Sequence, residues 1–410
     1  MSDERKPVIV TFKTKAEPKI VLESSETAGL GFTYATTMDA RDLTPDIPSE
    51  EIGLVMDMVK SVSASLPDTV IKELRKNPEI EMVEYDEEMY AYDENYCGET
   101  VPANEQPELT RRLWPFRCGY TDRIPWGIDR IDAERAWDIT QGKGIKVAVA
   151  DTGIDYKHPD LRQNFKGGAS FVPGETSLMD YNRHGTHVAG TIAAARNCLG
   201  VVGVAPSSYL YAVKVLSARG RGMFSYLIAG LEWCIKYKMD VVNMSLGGPR
   251  APTALGRMCD IAYKRGLLLV AAAGNCRGGP VGYPAKYKSV IAVSAIDNRD
   301  RWAPFSCKGP EVELCAPGVN IYSTLPNNRY GNLNGTSMAS PHVAGAAALA
   351  ISSHRYAIGS GPPTVIRRLL VHTADNLGVP GRDEQFGFGV VDAEQAAFER
   401  KIPPAIPSIP

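Results

Sequence analysis

Apolar runs at residues 210–216, 241–245, 267–273 and 290–295 alternate with helical runs such as 224–237 and 341–353. Such alternation predicts a mostly parallel sheet with helices on both faces, an α/β fold. A further run, Ile145-Lys146-Val147-Ala148-Val149-Ala150-Asp151-Thr152-Gly153, reads as a buried strand that ends in an acid. Ligands of such sheets bind beyond the carboxyl ends of the strands. Asp151, Ser245 and Asn275 all fall there.

Toward the C-terminal end, Asn334-Gly335-Thr336-Ser337-Met338-Ala339-Ser340-Pro341-His342 places a turn-forming stretch directly before a long Ala-rich helical run. Ser337 Oγ then stands at a helix N-terminus, where free backbone N–H groups and a positive partial charge face any anion that forms beside it. A serine is a weak nucleophile without a base and an orienting acid. Asp180-Tyr181-Asn182-Arg183-His184-Gly185-Thr186-His187 opens another small-residue helix, so His184 is the candidate base and Asp151 the candidate acid.

The segments around Asp151, His184 and Ser337, in the chain order Asp, His, Ser, resemble those of the subtilisin-like serine proteases. A fourth segment, Leu268-Leu269-Val270-Ala271-Ala272-Ala273-Gly274-Asn275, is similar to the family's strand that carries the oxyanion-hole asparagine. The likeness runs from about residue 124 to 397. It implies a serine endopeptidase with Asp151, His184 and Ser337 as a relay and Asn275 as a side-chain donor to the developing oxyanion. It also implies substrate strands on either side of the cleft, Ser245-Leu246-Gly247-Gly248 on one and Gly220 to Phe224, with Gly222, on the other, that pair with an extended polypeptide. Ala272, Ala273, Gly274 and Gly282 would line a roomy pocket for a large apolar or aromatic residue before the scissile bond, and Phe224 would wall the pocket three residues upstream. One cofactor is implied, a structural Ca²⁺ held by Asp122, Asp160, Asn197 and the carbonyls of Ala195, Leu199 and Val201, because all-oxygen ligation suits a hard cation.

The first part of the chain reads as a separate α+β module, with strands at 8–12, 62–66 and 79–85 and a helix at 68–76. It resembles the inhibitor-type propeptide of the family, while residues 13–57 match poorly and look partly like an insertion. The expected organisation is a propeptide domain at 1–92, a linker at 93–120, a peptidase domain at 121–400 and a Pro-rich tail at 401–410, with self-processing after Tyr92. Residues 1–90 carry 19 Asp and Glu against 10 Lys and Arg, net −9, which leaves +7 on the remainder of a chain whose overall charge is −2. Opposite signs favour docking of the two parts. The resemblance implies that the propeptide acts as an intramolecular inhibitor.

Polypeptides are the expected partners; nucleic acid and membrane are not, and a monomer is expected. The resemblance implies an extracellular enzyme, whereas Met1-Ser2-Asp3-Glu4-Arg5-Lys6 lacks the apolar core of a secretory signal, which leaves a cytoplasmic location open. Eight cysteines do not fix a pairing: Cys97 and Cys118 flank the linker and could bridge, or remain thiols. Cys276 directly follows Asn275 and reads as a small residue on the pocket rim, with thiol sensitivity of the enzyme as the alternative. His187 and His342 read as packed helix histidines, since no carboxylate pattern completes a metal pair. An inactive, propeptide-held binding protein and an acyl transferase are the competing readings of the same residues.

Overall fold

A computed structural model describes residues 5–13, 33–35, 52–92, 122–358 and 363–399. The expected linker bridge between Cys97 and Cys118 and the Pro-rich tail lie outside the described residues. Seven strands form the large sheet: β7 (Lys146–Asp151), β8 (Phe165–Ser170), β9 (Tyr209–Lys214), β11 (Val241–Met244), β13 (Leu268–Ala272), β14 (Val290–Ile296) and β15 (Val312–Pro317). Their spatial order is β15-β14-β13-β11-β7-β9-β8, and every neighbouring pair is parallel. Strands β11, β13 and β14 are buried from end to end and β7 from Val147 onward, as strands with helices on both sides must be.

Two apolar layers flank this sheet. Val147, Val149 and Val270 face one layer with helix α7 (Thr336–Ile358) and helix α4 (His184–Ala193). Ala148, Ala150, Leu269 and Ala271 face the other with α5 (Phe224–Lys236) and α6 (Thr253–Lys264). This period-2 split of each strand between two cores is the pleat expressed as packing.

A smaller sheet precedes it: β1 (Arg5–Phe12), β2 (Thr33–Ala35), β3 (Ile52–Met56), β4 (Ser61–Pro67) and β5 (Ile80–Tyr85), in the order β2-β3-β4-β1-β5, with α1 (Asp68–Leu74) after β4; two short helices, α2 (Trp126–Arg130) and α3 (Ala133–Ala136), come before β7. The region expected to be partly insertion thus contributes two strands on one side of the sheet: β3 pairs antiparallel with β4, and β2, at the edge, pairs parallel with β3. Val8, Val10 and Phe12 point into a core with Val62, Leu66, Ile71 and Leu74, whereas Ile9, with Leu54, Met56 and Val59, packs into the layer of α5 and α6.

From the small sheet the chain continues into β6 (Glu88–Ala91), which lies antiparallel between β10 (Arg221–Met223) and β12 (Leu246–Gly247). Helix α7 starts at Thr336, well ahead of Pro341, which sits inside it. Proline has no N–H for the Ser337 carbonyl four residues back. Ser245 Oγ supplies that donor at 2.8 Å and so ties the end of β11 to the start of α7.

Candidate active site

The carboxyl ends of β7, β11 and β13 and the N-termini of α4 and α7 converge. Asp151 ends β7, fully buried, and its carboxylate accepts the Thr152 N–H at 2.7 Å. His184 begins α4 and donates from Nδ1 to Asp151 Oδ1 at 2.8 Å and Oδ2 at 2.9 Å. That contact fixes the proton on Nδ1 and turns Nε2 to the other side of the ring as the basic nitrogen.

Asp180, to which sequence reasoning gave no role, fixes the start of α4. Its carboxylate accepts from the N–H of Asn182 (2.8 Å), Arg183 (3.0 Å) and Thr186 (2.9 Å) and from the hydroxyls of Thr152 and Thr186. An acid four residues ahead of the first helical residue was the available signal, because a helix start leaves free donors that a carboxylate satisfies. Thr152 joins the two halves, since its hydroxyl also accepts from the Gly185 N–H at 3.0 Å.

Ser337 occupies the first turn of α7, buried, and its hydroxyl donates to the Ser245 carbonyl at 2.9 Å. Asn275 lies beyond the end of β13. Its Oδ1 accepts from Thr336 N (3.0 Å) and Thr336 Oγ1 (2.9 Å), which aims the amide nitrogen, and Nδ2 donates to the Tyr92 carbonyl at 2.9 Å.

Tyr92 reaches this point because β6 threads the cleft. Arg221 pairs with Tyr90 and Gly222 with Met89 on one side, Leu246 with Ala91 and Gly247 with Tyr90 on the other. The Ala91 N–H donates to Gly220 O at 3.0 Å and the Tyr92 N–H to Ser245 O at 3.3 Å. Two-sided pairing uses only backbone groups, so it places any extended chain alike and leaves discrimination to the side-chain pockets.

The Tyr92 ring fills a space left by missing side chains: a Cβ on Gly247, Gly274 or Gly282 would stand 2.6, 3.4 and 2.4 Å from its atoms. Ala272 and Ala273 form the buried strand behind Gly274. Gly335 has φ +145°, and a Cβ there would meet the Tyr92 carbonyl oxygen at 2.5 Å, so this turn must be glycine for the carbonyl to reach Asn275. Met89, fully buried, packs in the same apolar layer as Phe224.

Two further histidines sit near the relay with closed environments. His187 is bonded to the carbonyls of Ile321 (2.8 Å) and Gly331 (3.2 Å), and burial pushes it down to about 3. His342 is bonded to Met338 O at 2.7 Å and burial pushes it down to about 4. Both are neutral structural groups at physiological pH.

Among the described residues no three His, Cys, Asp or Glu side chains gather as a metal site. The loop at 195–201 instead turns backbone N–H groups toward two carboxylates. Asp122 Oδ1 accepts from Asn197 N (3.3 Å) and Leu199 N (3.0 Å), while Asp160 Oδ2 accepts from Val201 N (3.0 Å) and the Tyr330 hydroxyl (2.9 Å). The Asn197 amide nitrogen donates to Asp160 Oδ1 at 3.3 Å, and its oxygen accepts from the Leu199 N–H at 2.9 Å. Burial, then the Asp160 charge, raises the Asp122 carboxyl, which marks this as a place that concentrates negative charge. The Arg196 guanidinium lies over the Trp137 ring.

Cys276, expected as a small residue on the pocket rim, is bonded to Cys307. The sequence offered no signal for this partner, which lies 31 residues away.

An extended peptide clamped on both edges, with its last carbonyl on an amide donor beside a serine hydroxyl, defines the class: a serine hydrolase acting on peptide bonds. Residues 142–389 match the Subtilase family. The chain is 42% identical to subtilisin E of Bacillus subtilis (strain 168) over 377 residues, covering 90% of this chain and 89% of that protein. It is 50% identical over 280 residues to the subtilisin of Bacillus pumilus, covering 67% of this chain and 98% of that one. A further 50% match over 274 residues is to subtilisin Savinase of Lederbergia lenta. The chain belongs to the subtilase family and is a serine endopeptidase.

Proposed function

We propose that the enzyme cuts polypeptides through an Asp151–His184–Ser337 relay and is made as a zymogen that cleaves itself after Tyr92. Ser337 Oγ gives up its bond to the Ser245 carbonyl, passes its proton to His184 Nε2 and attacks the substrate carbonyl. Asp151 holds the imidazole tautomer and stabilises the imidazolium without becoming protonated. Asn275 Nδ2 and the Ser337 backbone N–H stabilise the oxyanion, His184 returns the proton to the leaving amine, and water hydrolyses the acyl-enzyme.

Large apolar or aromatic residues are preferred before the scissile bond, residues 1–92 act as the intramolecular inhibitor, and the enzyme is a monomer. The single observation that carries the reading is Tyr92 itself, ring in the glycine-walled pocket and carbonyl on Asn275 at 2.9 Å. Incubation with an arylsulfonyl or alkylsulfonyl fluoride followed by peptide mapping should find the adduct on Ser337, and N-terminal sequencing of the mature enzyme should begin at Asp93. An unlabelled Ser337, or a mature chain that starts after Arg112, overturns the respective half.

The oxygens of Asp122, Asp160 and Asn197, with the carbonyls of Ala195, Leu199 and Val201, fit a hard divalent cation. Bound Ca²⁺ supplies charge compensation that holds this loop and takes no part in the cleavage. Titration calorimetry after chelation should give saturable calcium binding and a raised melting temperature; neither effect would remove the site.

A further inference from the structure

The loop that carries Asn275 runs on through Cys276, Arg277, Gly278 and Gly279 before turning back to Gly282, and so forms both the oxyanion donor and one wall of the pocket. Backbone bonds hold it to the segment at 305–308: Cys307 N to Gly274 O at 2.7 Å, Arg277 N to Phe305 O at 2.9 Å, Gly278 N to Ser306 O at 2.8 Å and Lys308 N to Gly279 O at 3.0 Å. Cys276 and Arg277 are exposed, so water competes for the rungs near them. One covalent link crosses this pairing, Cys276 to Cys307, with Cα atoms 4.9 Å apart.

The Cys307 side of the link also touches the pocket. A Cβ on Gly274 would stand 2.8 Å from Cys307 Sγ and 3.4 Å from the Tyr92 ring, so the Gly274 backbone is held between the sulfur and the bound side chain. Cys307 is 2% exposed, whereas Cys276 is open to solvent. The sulfur next to the oxyanion donor is therefore the one a thiolate can reach.

We propose that the Cys276–Cys307 bond is a positioning clamp for the oxyanion donor and the adjoining pocket wall, and that it makes catalysis by this enzyme sensitive to thiol reductants. The reaction consumes one dithiol reductant. Its thiolate attacks Cys276 Sγ, the bond to Cys307 Sγ breaks, and Cys307 leaves as a thiolate that takes up a proton. The second thiol of the reductant then displaces Cys276, which leaves as a thiol, and the reductant departs as a cyclic disulfide after giving two electrons. Released from Cys307, the exposed loop samples positions in which Asn275 Nδ2 is off the line to the oxyanion.

This rests on the reading of Asn275 as oxyanion donor, and the test keeps the two apart. The full chain is expressed, allowed to mature in the presence of calcium, and mapped by mass spectrometry without reduction. A cross-linked peptide pair containing residues 276 and 307 is expected; free thiols at both positions overturn the proposal. The folded enzyme is then assayed with and without dithiothreitol on substrates with Tyr or Ala before the scissile bond. Reduction should lower kcat about tenfold for both, with KM changing far less, as loss of alignment does, and should narrow the preference for Tyr over Ala. A Cys276→Ser/Cys307→Ser variant should match the reduced enzyme and ignore the reductant. Unchanged kcat on reduction, or a response that persists in the double variant, overturns the clamp.

A merely stabilising bond would lower the melting temperature without this pattern, so the last arm uses Asn275→Ala. If that substitution costs nothing in kcat, the oxyanion reading fails. If it costs activity and the reductant has no further effect on kcat, the clamp acts through Asn275; an equal fold-loss in both backgrounds overturns it.

Discussion

The two sheets bury their apolar faces on different terms. Both sides of the seven-stranded sheet are sealed by its own helices, and its central strands contribute mostly apolar groups, with hydrogen-bonded ones such as Ser294, whose hydroxyl donates to the Gln385 carbonyl at 2.5 Å. The five-stranded sheet seals one face with α1 and leaves the other, around Ile9 and Met56, to the helices of the peptidase region. Carboxylates are buried at that junction. Asp86, 6% exposed, accepts the Ser225 N–H at the start of α5 at 3.1 Å, yet burial pushes it up to about 7. Glu232, 7% exposed, faces Met58 N at 3.5 Å, and burial likewise pushes it up to about 7. Glu84 accepts the Thr253 N–H at the start of α6 at 2.7 Å, and Glu81 pairs with Arg257 at 2.5 Å. One interior is built to stay closed, and the other junction is built from contacts that cost free energy when ionised and can be released.

The strongest way to break that contrast is Ser337→Ala. Without the nucleophile the two regions should remain one covalent chain, with peptide hydrolysis reduced by several orders of magnitude and intact mass equal to the full sequence. Spontaneous appearance of an N-terminus at Asp93 in this variant would mean that the junction is cut by something other than its own site. Tyr92→Gly comes next. It empties the pocket while leaving the backbone ladder of β6, and loses about 1.5–3 kcal/mol of side-chain burial. Self-cleavage, followed by gel and mass, should therefore slow about 10- to 100-fold. An unaltered rate would show that the ladder alone sets the cut.

Much of the peptidase region was legible because its signals are local. A strand ending in Asp151, a helix opening at His184 and a turn before Ser337 each declare themselves within about ten residues, and the parallel order of the sheet follows from strands alternating with helices. What the sequence hid depends on distance. The start of α7 at Thr336 was obscured by Pro341, whose missing N–H is compensated by Ser245 from 92 residues away. Cys276 gave no hint of Cys307. Residues 52–56 look like inserted chain until β4 is there to pair with them, and Asp86 is an ordinary surface acid until α5, 139 residues on, presents its first turn. Side-chain chemistry could be read from spacing; partners brought in by the fold could not.

The pH dependence of the junction is the smallest effect and the sharpest test of how it differs from the interior. Apart, the Asp86 and Glu232 carboxyls return toward ordinary values of 3.8 and 4.5; joined, both sit at about 7. Between those values the joined state holds protons that the separated state has lost, so association strengthens as pH falls below about 8 and is flat above it. For Asp86 alone this makes the processed pair about tenfold tighter at pH 6 than at pH 8, readable as the dissociation constant from recovered activity on dilution. Asp86→Asn keeps an acceptor for the Ser225 N–H and removes the ionisation. The variant should bind tighter than wild type at pH 8, its advantage should shrink about tenfold by pH 6, and it should retain only the Glu232 part of the slope. Weaker binding at pH 8 would mean that the attraction of the α5 N-terminus for a charged carboxylate outweighs the cost of burying it, and the junction would then be no more releasable than the interior.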